Sequence, residues 1–234
     1  MAAHNDISIR LRPNGISFSI CEKTGKELFS NTIDVNNRSE TDAIRETILS
    51  SGILEKTYNK VTIVVPSPLF ALFPEEVFDP KQIEFYYKSI VEIPNGKHLL
   101  FQHLKEFGMF LLFAVEEELY DFLVRSFIHP EIEHHLLSLL YSLEAHSSSR
   151  EGNALYVAYD TQLLSLILFK KNRFHAASVF ECTTQNDALY YILSMWRQFK
   201  YNQLDDTLYI IGEGTFQDEL FGEASLYVRQ AERL

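Results

Sequence analysis

Residues 154–180 read Ala154-Leu-Tyr-Val-Ala-Tyr-Asp160-Thr-Gln-Leu-Leu-Ser-Leu-Ile-Leu-Phe169-Lys-Lys-Asn-Arg-Phe174-His-Ala-Ala-Ser-Val-Phe180. Three apolar runs, 154–159, 163–169 and 174–180, are separated by Asp160-Thr161-Gln162 and Lys170-Lys-Asn172-Arg173, which predicts three strands joined by two tight turns. Thr184 follows, with Asp187 three residues later, the spacing of a helix N-cap and its partner. Ala188, Leu189, Ile192, Leu193, Trp196 and Phe199 then recur at helical spacing and make one apolar face. Leu208-Tyr-Ile-Ile211 closes the unit as a buried strand. The order is β-β-β-α-β.

The same order stands earlier in the chain. Ile7 to Arg12 alternates apolar and polar residues, Pro13-Asn14-Gly15 is turn chemistry, and Ile16 to Ile20 alternates again. Lys23-Thr-Gly25-Lys26 makes a second turn before a third strand over 28–35. Ser39 starts a helix with Asp42 three residues on; Ile44 and Ile48 form its apolar face and Gly52 its C-cap. Val61-Thr-Ile-Val-Val65 is the fourth strand, rich in β-branched residues. Ser39 and Thr184 are 145 residues apart, Val61 and Leu208 are 147 apart. An offset that long and that constant is a duplicated domain and not a solenoid repeat.

Between the two units the rhythm changes. Asp79-Pro80 is an N-cap and first-turn pair, opening a helix expected to bury Ile83, Tyr86, Tyr87 and Ile90. Ile93-Pro-Asn-Gly96 is a turn, and 98–104 with 109–115 read as a hairpin joined around Gly108. Glu116-Glu-Glu118 places carboxylates in a helix's first turn, where the dipole favours them; Leu119, Phe122, Leu123 and Phe127 form its apolar face. A further helix after Pro130 is expected to bury Ile132, Leu136, Leu139, Leu140 and Leu143, with His134 and His135 on its surface or boundary. His146-Ser-Ser-Ser-Arg150 is polar, and the boundary is placed there. The expected domains are 1–150, holding a small α+β insert at about 68–115, and 151–234.

Composition removes several functions. The chain has 21 Lys+Arg against 32 Asp+Glu, a net charge of −11, which argues against a nucleic-acid binder that must neutralise phosphates. Its longest apolar run, 109–115, is too short to span a membrane, and Met1-Ala-Ala-His-Asn-Asp6 shows no leader. A cytoplasmic location is expected. Cys21 and Cys182 lie in or beside apolar strands and read as free thiols in a reducing compartment. No Cys/His cluster has zinc spacing, so no metal site is expected; adjacent His134 and His135 diverge on a helix and do not make a ligand pair. Carboxylates near strands, Asp6, Asp160 and Asp205-Asp206, sit at ends and read as turn aspartates, not as a nuclease's two-metal site. No catalytic residue stands out.

A β-β-β-α-β unit occurring twice, with an insertion in the first, resembles the actin-like ATPase superfamily. That resemblance implies an α/β fold of two ribonuclease-H-like lobes facing a nucleotide cleft. The insert is similar to the small subdomain of the actin-like proteins of bacterial cell division and type IV pilus assembly. The whole chain also looks like an uncharacterised bacterial family known only as a domain of unknown function. The run 112–124, Leu-Phe-Ala-Val-Glu-Glu-Glu-Leu-Tyr-Asp-Phe-Leu-Val, looks like the strand and helix that return from the insert.

The superfamily has three nucleotide signatures, and the resemblance maps each here. Two are hairpin turns with an acid and a glycine. The first falls at 10–15, where Asn14 and Gly15 remain but the acid is absent and Arg10 and Arg12 stand nearby. The second falls at Asp160 and Thr161, where the acid remains but Gln162 and Leu163 replace glycine. The third, a glycine pair after a strand, is matched by Ile210-Ile-Gly212-Glu-Gly214-Thr215-Phe216. The implied nucleotide residues are therefore Asn14, Gly15, Asp160, Thr161, Gly212, Gly214 and Thr215. With two signatures damaged, ATP hydrolysis is not expected and no cofactor is required. Superfamily members that lose hydrolysis act as platforms for partner proteins, through the cleft and the insert. The insert is crowded with Phe70, Phe73, Phe78, Phe85, Tyr86 and Tyr87, which either pack it against the first lobe or form a binding patch. The expectation is a non-catalytic interaction or scaffold protein with an unknown protein partner; the alternative is an ATP/Mg²⁺-binding protein whose nucleotide state controls assembly or partner choice.

Overall fold

The computed structural model describes residues 5–12, 15–22, 24, 26–34, 40–89 and 95–234. The expected cap at Ser39, the turn residues Pro13, Asn14, Lys23 and Gly25, and Ile90 to Pro94 lie outside them. The chain divides into two units, Met1–His135 and Leu136–Leu234.

In the first unit β1 (Asp6–Arg12), β2 (Gly15–Cys21) and β3 (Glu27–Asp34) form an antiparallel meander. Helix α1 (Glu40–Ser50) leads to β4 (Lys60–Val65), which pairs parallel with β1. Alternation does the sorting: Ile7, Ile9 and Leu11 share one face of β1 and are buried, while their neighbours are half-buried. Gly52, left-handed at φ 71°, stands just beyond α1 as expected of a C-cap.

The insert holds β5 (Phe70–Pro74), α2 (Ile83–Lys88), β6 (Lys97–Leu104) and β7 (Met109–Glu116), with the sheet order β5-β7-β6, all antiparallel. The Asp79 side chain accepts the Lys81 N–H at 3.0 Å, as its place before Pro80 predicts, and one 3-10 turn leads into α2. Helix α3 (Glu117–Ser126) buries Leu119 and Leu123.

After Pro130 the chain departs from the expected helix. Residues 131–134 form β8 (Glu131–His134), parallel to β4, and the helix begins only at Leu136. Glu131-Ile-Glu-His has the period of a strand, and the edge of β4 supplies its partner; the His135 N–H donates to the Val65 carbonyl at 3.1 Å. His134 is consequently not on a helix surface but 1% exposed.

The second unit contains α4 (Leu136–Ser148), β9 (Ala154–Asp160), β10 (Leu163–Lys170), β11 (Arg173–Glu181), α5 (Gln185–Gln198), β12 (Thr207–Ile211), α6 (Thr215–Ala224) and β13 (Gln230–Arg233). Its sheet runs β11-β10-β9-β12-β13, the same plan as β3-β2-β1-β4-β8 in the first unit. Leu155, Val157, Leu164, Leu166 and Leu168 pack with Ile192, Met195, Trp196 and Leu220 on one face. On the other face α4 packs on β10 and β11, and His146 of α4 bonds the Tyr156 hydroxyl at 2.9 Å. Covered on both sides, β10 is buried from Leu163 to Phe169. This is why the units divide at His135/Leu136 and not at the polar loop near residue 150: α4 is the lid of the second sheet.

Candidate functional site

β9 and β12 are parallel neighbours, so their carboxyl ends open on one edge, the place where α/β sheets commonly hold ligands. Gly212-Glu213-Gly214 leaves β12 there and enters α6. Gly214 has φ 137° and ψ 163°, a conformation that needs glycine, and a Cβ on it would stand 2.9 Å from the Gln217 Oε1. Gln217 folds back from the first turn of α6 and donates from Nε2 to the Tyr159 carbonyl at 3.1 Å. Phe216 stacks on Tyr159 with ring centroids 3.7 Å apart and planes 9° from parallel. The Gly212 N–H donates to the Leu234 carbonyl at 3.0 Å. The first turn of α6 thus packs back on this edge, with the Gln217 amide beside Gly212 and Gly214 and the Phe216 ring on Tyr159 of β9.

The neighbouring β9–β10 turn is equally committed. Thr161 and Gln162 both take positive φ, 45° and 72°, the two-residue turn that suits a hairpin's twist. Thr161 Oγ1 donates to Asp160 Oδ1 at 2.8 Å, and the Cys182 N–H donates to the Gln162 carbonyl at 2.7 Å. Burial raises the pKa of Tyr159 and of Cys182, whose Sγ donates to the Thr184 carbonyl at 3.2 Å. Cys182 is buried as expected, whereas Cys21 is half-buried; both are free thiols. The edge is acidic: Asp160, Glu181, Asp187, Glu213, Asp218 and Glu219 gather on it, and Arg233 is paired with Asp218. A polyphosphate would approach against that field.

Of the residues the resemblance implied, Asp160, Thr161, Gly212, Gly214 and Thr215 come to this one edge of the second unit. Gly15 belongs to the first unit, where it is buried as the first residue of β2, opposite Arg12 of β1 and Asp34 of β3. Asn14 lies outside the described residues. Sequence reading missed Tyr159, Phe216 and Gln217. An apolar ring and an amide two and three residues after Gly214 were the available signal.

Among the described residues, the first unit holds a buried polar cluster at Ser67 and His134. His134 Nε2 faces the Ser67 carbonyl at 2.9 Å, so that nitrogen carries the proton, and burial together with the neighbouring His135 holds its pKa well below the usual value. Ser67 Oγ reaches the Leu69 and Ala114 carbonyls at 3.2 and 3.3 Å, and the His134 N–H donates to Gln102 Oε1 at 2.9 Å. These bonds tie β4 and β8 to the insert. Among the described residues, no group of three or more His, Cys, Asp or Glu side chains could hold a metal ion.

Known structures share this architecture. A Bacteroides thetaiotaomicron protein with an actin-like ATPase fold and unknown function superposes with a TM-score of 0.90 at 23% identity, covering 100% of this chain and 91% of that one. The PilM–PilN type IV pilus biogenesis complex matches with a TM-score of 0.64 at 14% identity, covering 99% of this chain and 88% of the other. The fold is that of the actin-like ATPases. The chain belongs to the family described as "Protein of unknown function (DUF3822)", whose model matches residues 1–231. No curated protein matches the chain.

Proposed function

We propose that this is a non-catalytic interaction protein, working in the cytoplasm on an actin-like ATPase fold whose nucleotide site has degenerated. The observation that carries the reading is the Gly212–Gly214 loop, with the Gln217 amide beside it, the Phe216 ring on Tyr159 and the Gly212 N–H already bonded. A nucleotide would have to displace these groups against six nearby carboxylates.

The partner surface is assigned to the insert. Phe73, Phe78, Tyr86 and Phe110 pack together there, and Tyr87 is fully buried, so most of the crowded aromatics are core. Phe85, Val77 and Phe101 are left 68%, 58% and 43% exposed, with Phe85 against Tyr86 and Phe101 against Phe78. Exposed aromatic rings backed by a rigid aromatic core are what protein interfaces favour. That one protein of the same fold has been solved as a complex with another protein, PilM with PilN, supports the reading.

The alternative, nucleotide-controlled binding, draws on Gly214 alone, which keeps the backbone the third signature needs. A thermal-melt titration with ATP or ADP and Mg²⁺ separates the two. No shift at millimolar nucleotide is expected, whereas a ligand at 100 times its dissociation constant would add about 2.7 kcal/mol. A nucleotide-dependent shift that vanishes in Gly212→Val would overturn the degenerate-site reading. For the insert, Phe85→Glu/Phe101→Glu should keep the melting temperature and lose proteins that co-purify with the wild type; their retention would overturn the assignment.

A further inference from the structure

The opposite edge of the second unit carries the opposite charge. Of the unit's eight Lys and Arg residues, Arg150 and Arg233 are ion-paired with Glu232 and Asp218. The other six, Lys170, Lys171, Arg173, Arg197, Lys200 and Arg229, fall in the β10–β11 turn, at the end of α5 and just before β13. Hydrogen bonds draw these segments together: Tyr201 Oη to the Phe169 carbonyl at 2.9 Å, the Lys171 N–H to Asn153 Oδ1 at 3.1 Å, and the Arg229 N–H to the Gln203 carbonyl at 2.9 Å. None of the six cations has an ion pair among the described residues. The nearby Asp205 and Asp206 are engaged by Asn202 and Asn153.

Beside them lies an open groove of about 620 Å³, lined by Leu193, Trp196, Arg197, Lys200, Leu204 and Tyr227, among others. Leu204 and Tyr227 are exposed large apolar residues. The Trp196 indole N–H is buried with no hydrogen-bond partner. Of the six cations, Arg197 and Lys200 line the groove, and Lys170 lies over the Phe199 and Tyr201 rings.

We propose that this groove binds an acidic peptide segment, seating an aliphatic or aromatic side chain beside Leu204 and Tyr227 while its carboxylates meet Arg197 and Lys200. Charge complementarity chooses the occupant. A peptide can carry carboxylates and apolar side chains together, and the groove lining offers both Arg197 and Lys200 and the apolar Leu193, Leu204 and Tyr227. A nucleic acid would bring a continuous phosphate run but no aliphatic side chain to seat against Leu193 and Leu204.

Trp196 is the chain's one tryptophan and lines the groove, so its fluorescence reports occupancy. The probe is a short peptide of alternating glutamate and leucine, compared with one carrying glutamine for glutamate. The acidic peptide should give a saturable change that weakens with added salt. Arg197→Gln/Lys200→Gln should weaken it about three- to tenfold, the worth of two exposed charge contacts. Leu204→Glu, at an exposed position that leaves the fold alone, should weaken it in the same direction. Equal binding of the glutamine peptide, unchanged affinity in both variants, or no saturable change by fluorescence and calorimetry would each overturn the proposal. Tighter binding of single-stranded oligothymidylate than of the acidic peptide would overturn it too, in favour of nucleic acid.

Discussion

Thr161 is a β-branched residue at φ 45°, a conformation such side chains adopt at a cost. Its turn is of the kind that Asn-Gly satisfies best. Thr161→Asn/Gln162→Gly should therefore raise unfolding free energy by about 1 kcal/mol in urea titration, even though the Thr161–Asp160 hydrogen bond is lost. The same double variant restores a glycine after Asp160, and it should still show no nucleotide shift, because Gln217 remains in place. His134 gives a second test. Its folded pKa lies well below 6.5, so the unfolded chain takes up the proton first as pH falls. The stability it contributes is complete above about pH 6.5 and declines below it, by up to about 1.4 kcal/mol per pH unit from this group. Comparing wild type with His134→Gln from pH 7.5 to 5 should show a shallower decline in the variant; parallel curves would contradict the assignment. Neither Gln217 nor His134 was legible as a key residue in the sequence. A glutamine after a glycine loop and a histidine after Pro130 acquire their roles only from what the fold sets against them.

At the scale of the element, local signals did most of the work where they were strong. Thr184 accepts the Asp187 N–H at 3.2 Å, as the spacing of the two predicts, and α5 begins at Gln185. Thr184→Ala should cost about 1 kcal/mol, read from a chemical melt. The buried face of α5 is Ala188, Ile192, Met195 and Trp196, with Leu189, Leu193 and Phe199 only partly covered, so the expected face was shifted by part of a turn. β8 shows the limit of periodicity. Ile132 stands four residues before Leu136, so an apolar face written for a helix ran straight across a strand and its turn. Only the free edge of β4, built from residues far away in sequence, decides that 131–134 is extended.

For the whole molecule, the two sheets share one strand order, and α4 belongs with the second. Residues 136–234 should fold alone, with a dispersed NMR spectrum and a cooperative melt. Residues 151–234 should not: without α4, Tyr156 and Phe169, both fully buried, would lose their cover. If 151–234 folded as stably as 136–234, the placement of α4 would be wrong. The second unit is also charged unequally at the two ends of its sheet, acidic beside the glycine loop and basic at the other.

The sequence by itself determined the β-β-β-α-β plan of each unit, the insert, the caps at Asp79 and Thr184 and the glycine loop, because each is written in residues close together along the chain. Periodicity, turn chemistry and capping act over that range and need no partner. The tertiary structure alone decided that Gln217 and Phe216 pack back on β9, that His134 is buried, that α4 covers the second sheet, and that Arg197 and Lys200 line one groove with Leu204 and Tyr227. Those facts depend on packing between residues tens of positions apart, where burial and charge are set by neighbours that no local pattern names.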